Sequence, residues 1–116
     1  VHAMGDRSQL QQVFMNVLMN AAESMNRRSG TIRIELRAEH TPGTGGTASA
    51  VCEIQDQGCG IAPSDLARIC EPFFSSKANG HGLGLACTNR IVQEHQGSME
   101  FSSLVNRGTT VCIRLP

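Results

Sequence analysis

Leu10, Val13, Phe14, Val17, Leu18, Ala21 and Met25 recur at helical spacing and form one apolar stripe. Asp6 stands ahead of them as an N-cap, Gln9 completes a capping box three residues on, and Gly30 offers a stop. The spacing predicts a helix over residues 7–28. The period then changes to two. Ile32, Ile34 and Leu36 fall on one face and Arg33, Glu35 and Arg37 on the other, which predicts a strand over 31–37 with one wet face. Pro42, Gly43, Gly45 and Gly46 mark a hairpin loop, and a second strand runs over 49–55 until Gly58 and Gly60 break it. Pro63 suits the first position of a short helix reaching about residue 70, with Ala62 as a weak N-cap. Residues 71–81 hold no steady period and predict a loop. Residues 82–96 are helical, with Leu85, Ile91 and Val92 inward and Gly97 as the stop. Strands over 98–103 and 109–115 flank the turn at Asn106, Arg107 and Gly108.

This order, helix, two strands, helix, loop, helix, two strands, contains no repeat and no linker. It suits an α+β fold: a two-layer sandwich, with a mixed sheet carrying helices on one face. The 116 residues make one domain over 1–116. Ten basic and ten acidic residues cancel, so no charge surplus points to nucleic acid. The only aromatics are four Phe, which gives no stacking platform for bases. No run is long enough to span a membrane and no signal-peptide pattern opens the chain, so no membrane contact and a cytoplasmic location are expected. Cys52, Cys59, Cys70, Cys87 and Cys112 contain no close pair suited to zinc and are expected to be reduced and mostly buried.

Four clusters carry chemistry. Asp56 shares parity with Cys52 and Ile54, so it points to the core face, where a carboxylate is costly unless donors reach it. Gly58 and Gly60 follow, letting the backbone turn sharply and a flat ligand lie against it. The run Gly80-His81-Gly82-Leu83-Gly84-Leu85 lies where a loop becomes a helix, and the first amides of that helix are free to bind phosphate oxygens. It is neither a P-loop nor a dinucleotide fingerprint. Asn16 and Asn20 lie four apart, roughly 80–140° from the middle of the apolar stripe, and their amide oxygens suit Mg²⁺. Lys77, the single lysine, stands between the glycine clusters and could meet terminal phosphates as a point charge.

The joint order is more specific than any of its parts. Asn-x3-Asn-Ala, Asp-x-Gly-x-Gly-Ile, Pro-Phe-Phe-Ser-Ser-Lys, Gly-x-Gly-Leu-Gly-Leu and a final Gly-Thr-Thr resemble the catalytic ATP-binding domain of sensor histidine kinases, within the gyrase, Hsp90, histidine kinase and MutL superfamily. Glu71-Pro72-Phe73-Phe74 and Asn20-Ala21-Ala22-Glu23-Ser24-Met25 look most like the nitrogen-regulation type. The resemblance implies a Bergerat-type fold that binds ATP and Mg²⁺. Asn20 would be the principal metal ligand, with Asn16 beside it as a second ligand or a water-positioner. Asp56 would accept from the adenine amino group, with Gly58, Gly60 and Ile61 framing the base. Residues 71–81 would form a lid. Lys77, Gly80, His81 and the amides of Gly82, Leu83, Gly84 and Leu85 would surround the phosphates. Thr109, in parity with Val111 and Ile113, would reach the base through water.

Hydrolysing members of the superfamily place a Glu where Asn16 stands, and an amide cannot act as a base. The implied activity is therefore ATP-dependent protein-histidine kinase chemistry, with slow hydrolysis. His2, His40, His81 and His95 lack the acidic neighbour of a phosphoacceptor box. The expected acceptor is thus a histidine on a separate dimerisation domain, with a response regulator downstream, and the chain is expected to be an N-terminally truncated fragment that does not phosphorylate itself. The alternatives are an anti-sigma-type serine kinase on the same fold and a non-catalytic nucleotide-binding module.

Overall fold

The computed structural model describes residues 4–25, 30–40, 48–69 and 84–116. The elements run α1 (Arg7–Met25), β1 (Arg33–His40), β2 (Ala48–Gln55), α2 (Pro63–Leu66), α3 (Gly84–Glu94), β3 (Ser98–Leu104) and β4 (Gly108–Leu115). The strands form one sheet in the order β1-β2-β4-β3. The α+β sandwich agrees with the sequence pattern, but the sheet is antiparallel at every described pairing rather than mixed. Two hairpins explain this: β1 turns into β2 and β3 into β4, and the hairpins join through β2 and β4. Gln55 at the end of β2 pairs with Thr110 near the start of β4. The residues just beyond, Asp56 and Thr109, therefore meet at one end of the two central strands.

One face of the sheet carries the core. Val13, Val17 and Ala21 of α1 and Ile91 and Val92 of α3 pack on Cys52 and Ile54 of β2 and on Val111, Ile113 and Leu115 of β4. The opposite face is a ladder of charge. Arg37 Nη2 lies 2.9 Å from Glu53 and its Nε 3.0 Å from Glu39, while Arg114 reaches Glu39 and Glu100 at 3.5 and 3.4 Å. The hydrogen bonds that Arg37 donates, first to Glu53 and then to Glu39, raise its pKa, and the Arg37 bond holds Glu39 below its usual value. Val51 is only 1% exposed on this face because Arg37 and Arg114 flank it in register and their aliphatic stems shield it.

Several local expectations shift. Asp6 caps α1 by accepting from the Gln9 amide at 2.9 Å, but the reciprocal half of the capping box goes elsewhere: the Asp6 amide donates to His95 Nε2 at 3.0 Å. Described α1 ends at Met25, and 26–29 lie outside the described residues. β1 starts two residues late. Its apolar residues stay open, with Ile34 53% and Leu36 63% exposed, because α1 lies over β2 and β4 and no described helix covers this edge strand. A groove of about 710 Å³ flanks α1 beside Leu10, Phe14, Met15 and Leu18, on the side away from Asn16 and Asn20.

α2 begins at Pro63 with Ala62 uncapped, as the sequence implies, but its helical hydrogen bonding stops at Leu66. α3 closes with Gln96, not Gly97, in the left-handed region at φ 61°. The Gly97 amide donates to Val92 O and the Gln96 amide to Gln93 O, both at 2.9 Å, which is a Schellman close. Gly97 is needed for space: a β-carbon there would run into the Arg114 carbonyl. The cysteines are less buried than composition suggests. Cys52 is buried and Cys112 half-buried, with both thiol pKa values pushed up mainly by desolvation, whereas Cys59 and Cys87 are exposed.

Ile54 is 2% exposed at the centre of the core. Ile54→Ala is expected to cost about 2–5 kcal/mol, read as a lower urea midpoint at unchanged slope.

Candidate functional site

Asp56 extends the inward row of β2 past the last ladder pair and is 6% exposed. Its Oδ1 accepts from the Gly58 amide at 2.8 Å and the Thr109 amide at 3.3 Å. Its own amide donates to Thr109 O at 2.9 Å, so backbone and side chain both tie it to β4. No described residue donates to Oδ2. One oxygen is thus anchored and the other is offered.

The loop carrying this carboxylate is wedged between α1 and the β3–β4 turn. The Cys59 amide donates to Ser24 O at 3.0 Å, and the Cys59 carbonyl accepts from the Asn106 amide at 2.7 Å. The two glycines make that fit possible. A β-carbon on Gly58 would fall 2.6 Å from Ser24 O, and one on Gly60 would strike Leu104 O from a backbone at φ +72°. Gly108, at φ +122°, lets β4 approach the Asp56 carbonyl in the same way. Ile61 follows, its amide donating to Ser103 Oγ at 2.7 Å. Asp56, Gly58, Gly60, Ile61 and Thr109 therefore come together as the sequence implies.

Asn16 and Asn20 lie half-buried on the flank of α1 that faces α3. Asn16 Nδ2 donates to Thr88 Oγ1 at 3.1 Å, and Thr88 is wholly buried. This bond fixes the relative level of the two helices. They run antiparallel, since Asp6 at the start of α1 meets His95 at the end of α3. Four residues along from Asn16 is Asn20, and four residues back from Thr88 is Gly84, where α3 begins. Each step is about 6 Å of helical rise. Asn20 consequently lies level with the first turn of α3, whose amides have no helical partners. Gly84 and Leu85 open that helix. Lys77, Gly80, His81, Gly82 and Leu83 lie outside the described residues.

The groups that this arrangement brings together are of three kinds. A carboxylate oxygen at the sheet end suits an exocyclic amine, bare amides at a helix start suit phosphate, and amide oxygens between them suit a hard cation. Among the described residues no three His, Cys, Asp or Glu cluster to hold a metal on their own. Two contributors were not singled out from sequence, Thr88 and Ser103. Both left a signal: Thr88 falls on the inward row of α3 with Leu85 and Val92, and Ser103 shares the inward parity of Met99 and Phe101.

The family model described as "Histidine kinase-, DNA gyrase B-, and HSP90-like ATPase" matches residues 5–116. The chain is 41% identical over 111 residues to the signal transduction histidine-protein kinase AtoS of Escherichia coli K12, covering 96% of this chain and 17% of AtoS. It is 42% identical over 120 residues to the sensory histidine kinase/phosphatase NtrB of Rhodobacter capsulatus, covering 97% of this chain and 33% of NtrB. The chain thus spans about a sixth to a third of these relatives. Among solved structures, the mycobacterial sensor histidine kinase MprB matches with a TM-score of 0.81 at 34% identity, over 98% of this chain and 74% of that one. The catalytic domain of histidine kinase ThkA matches with a TM-score of 0.79 at 26% identity, over 97% and 68%.

Thr88→Val keeps the shape of the buried side chain and removes its bond to Asn16. A loss of about 1 kcal/mol in urea unfolding is expected, with Thr88→Ser retaining most of the stability.

Proposed function

The chain belongs to the histidine kinase-, DNA gyrase B- and HSP90-like ATPase family, and on that premise we propose that it is the Mg-ATP-binding, phosphoryl-donating domain of a two-component sensor histidine kinase. Nucleotide binding follows from the family; the metal, the residue roles and the acceptor are our reading. The observation that carries it is the split carboxylate of Asp56, with Oδ1 locked by two backbone amides and Oδ2 taking no bond from any described residue beside a glycine loop.

In this reading Asp56 Oδ2 accepts from the adenine amino group, and Gly58, Gly60 and Ile61 form the wall against which the base lies. Thr109 of β4 stands next to Asp56 on the same inward face and reaches the base through a water. The first amides of α3, at Gly84 and Leu85, face the phosphates, and the resemblance assigns phosphate binding to Lys77, Gly80, His81, Gly82 and Leu83 as well. Asn20 and Asn16 would hold Mg²⁺ through their amide oxygens. Bound there, the ion would offset the charge that builds on the phosphate oxygens during transfer.

The protein's own contribution is alignment and charge neutralisation, which phosphoryl transfer chiefly needs. The bond from the γ-phosphorus to the bridging oxygen breaks, a bond to an imidazole nitrogen forms, and ADP leaves. Asn16 stands where a water-activating base would have to be, and an amide takes no proton from water, so the γ-phosphoryl is kept for the acceptor. His95 is unsuited to that role, since Nδ1 contacts Ile91 O at 2.8 Å and Nε2 accepts from the Asp6 amide. We propose that the acceptor histidine belongs to a dimerisation domain of a longer protein, from which a response regulator draws the phosphoryl group.

Calorimetry of the chain with ATP, with and without Mg²⁺, tests this. Binding is expected to strengthen with Mg²⁺ and to fall at least tenfold in Asp56→Asn, whose amide can turn a donor toward the adenine amine. Absence of binding by the folded wild-type chain overturns the proposal. Asn16→Asp is expected to leave adenine recognition intact and to change the Mg²⁺ dependence, read from titrations at fixed ATP.

A further inference from the structure

Ser103 lies on the inward row of β3, with its hydroxyl among three polar groups. A serine hydroxyl has one hydrogen to give and two lone pairs to fill. The Ile61 amide donates to Oγ at 2.7 Å. The Gly108 carbonyl, 3.0 Å away, can only accept, so it takes the Ser103 hydrogen. Thr109 Oγ1 lies 2.8 Å from the same oxygen and must then donate to it. All three capacities of Ser103 are thereby used, and the direction of each bond is fixed.

The consequence falls on Thr109. With its hydrogen committed to Ser103, its hydroxyl has only lone pairs left. Its amide is already bound to Asp56 Oδ1 at 3.3 Å. The side-chain atoms that Asp56 and Thr109 present side by side at this end of the sheet are therefore acceptors. A purine with an amino group at position 6 brings the donor this surface lacks. A purine with an oxygen there sets acceptor against acceptors, a mismatch that costs affinity.

We propose that Ser103 is the positioning residue for base selection: it holds the Asp56 loop through the Ile61 amide and fixes the Thr109 hydroxyl as an acceptor, so that the site takes a 6-amino purine and refuses a 6-oxo purine. This rests on the reading of Asp56 as the adenine acceptor. Removing the Ser103 hydroxyl frees the Thr109 hydrogen to rotate toward the site, where it can donate to the bridging water and release one of that water's hydrogens to a 6-oxo group.

The test compares Mg-ATP and Mg-ITP binding by calorimetry in the wild-type chain, Ser103→Ala and Ser103→Thr, with amide exchange of Ile61 followed by NMR without nucleotide. The wild type is expected to favour ATP. In Ser103→Ala the ATP-to-ITP preference falls about five- to tenfold, the worth of one oriented hydrogen bond, and Ile61 exchange accelerates. Ser103→Thr restores both. A loss of folded protein lowers both affinities together and leaves their ratio untouched, so the ratio separates positioning from mere support. An unchanged ratio or unchanged Ile61 exchange in folded Ser103→Ala overturns the inference while leaving the nucleotide reading in place. A wild-type chain that binds neither nucleotide overturns both.

Discussion

Burying a carboxylate at the end of a β-sheet is costly unless hydrogen-bond donors meet it, and Asp56 satisfies that condition through one oxygen alone. Gly58 and Thr109 supply the two amides, and each makes a demand of its own. The Gly58 amide arrives only if the chain doubles back against Ser24, which excludes a side chain at that position. The Thr109 amide arrives only if β4 begins beside the end of β2, which places the two hairpins of the sheet next to one another. The turn before β4 must then clear the Asp56 carbonyl, and Gly108 is what allows it. Strand order, loop conformation and glycine placement all follow from keeping this acid inside the fold with half of it still available.

The two faces of the sheet divide the remaining work. The helix-facing side is dry at β2 and β4 and carries the site at its rim. The outer side holds Arg37 and Arg114 among glutamates, an arrangement that keeps the surface wet while shielding Val51. Exposed pairs of this kind contribute little stability individually. Their value here is register: Arg37–Glu53 and Arg114–Glu100 pair charges between neighbouring strands and Arg114–Glu39 reaches across β2, and a slip by one residue would bring the apolar row to the solvent.

Much of this was legible in the chain. Period and parity identified α1, β2, α3 and β4, and the same parity argument set Asp56 and Thr109 on the core side. The motif order then joined segments that lie far apart in sequence. The misses share a cause, which is that their deciding partner lies far away along the chain. Ile34 and Leu36 alternate as core residues do, yet no described helix reaches over β1. Gln9 forms only half a capping box because His95, 89 residues beyond Asp6, takes the Asp6 amide. Gly97 reads as a terminator, but the Arg114 carbonyl is what requires it. Thr88 and Ser103 differ in kind: each is a polar residue on an inward row, the pattern that flagged Asp56, and so could have been found by the same rule.

Two of the bonds that set α1 against α3 are His95 to the Asp6 amide at the start of α1 and Asn16 Nδ2 to Thr88 Oγ1 midway along. The nitrogen end of the Asn16 amide is thus committed to a wholly buried threonine. That commitment orients the oxygen end before any ligand arrives, so the interior of the fold sets the aim of a residue on its rim.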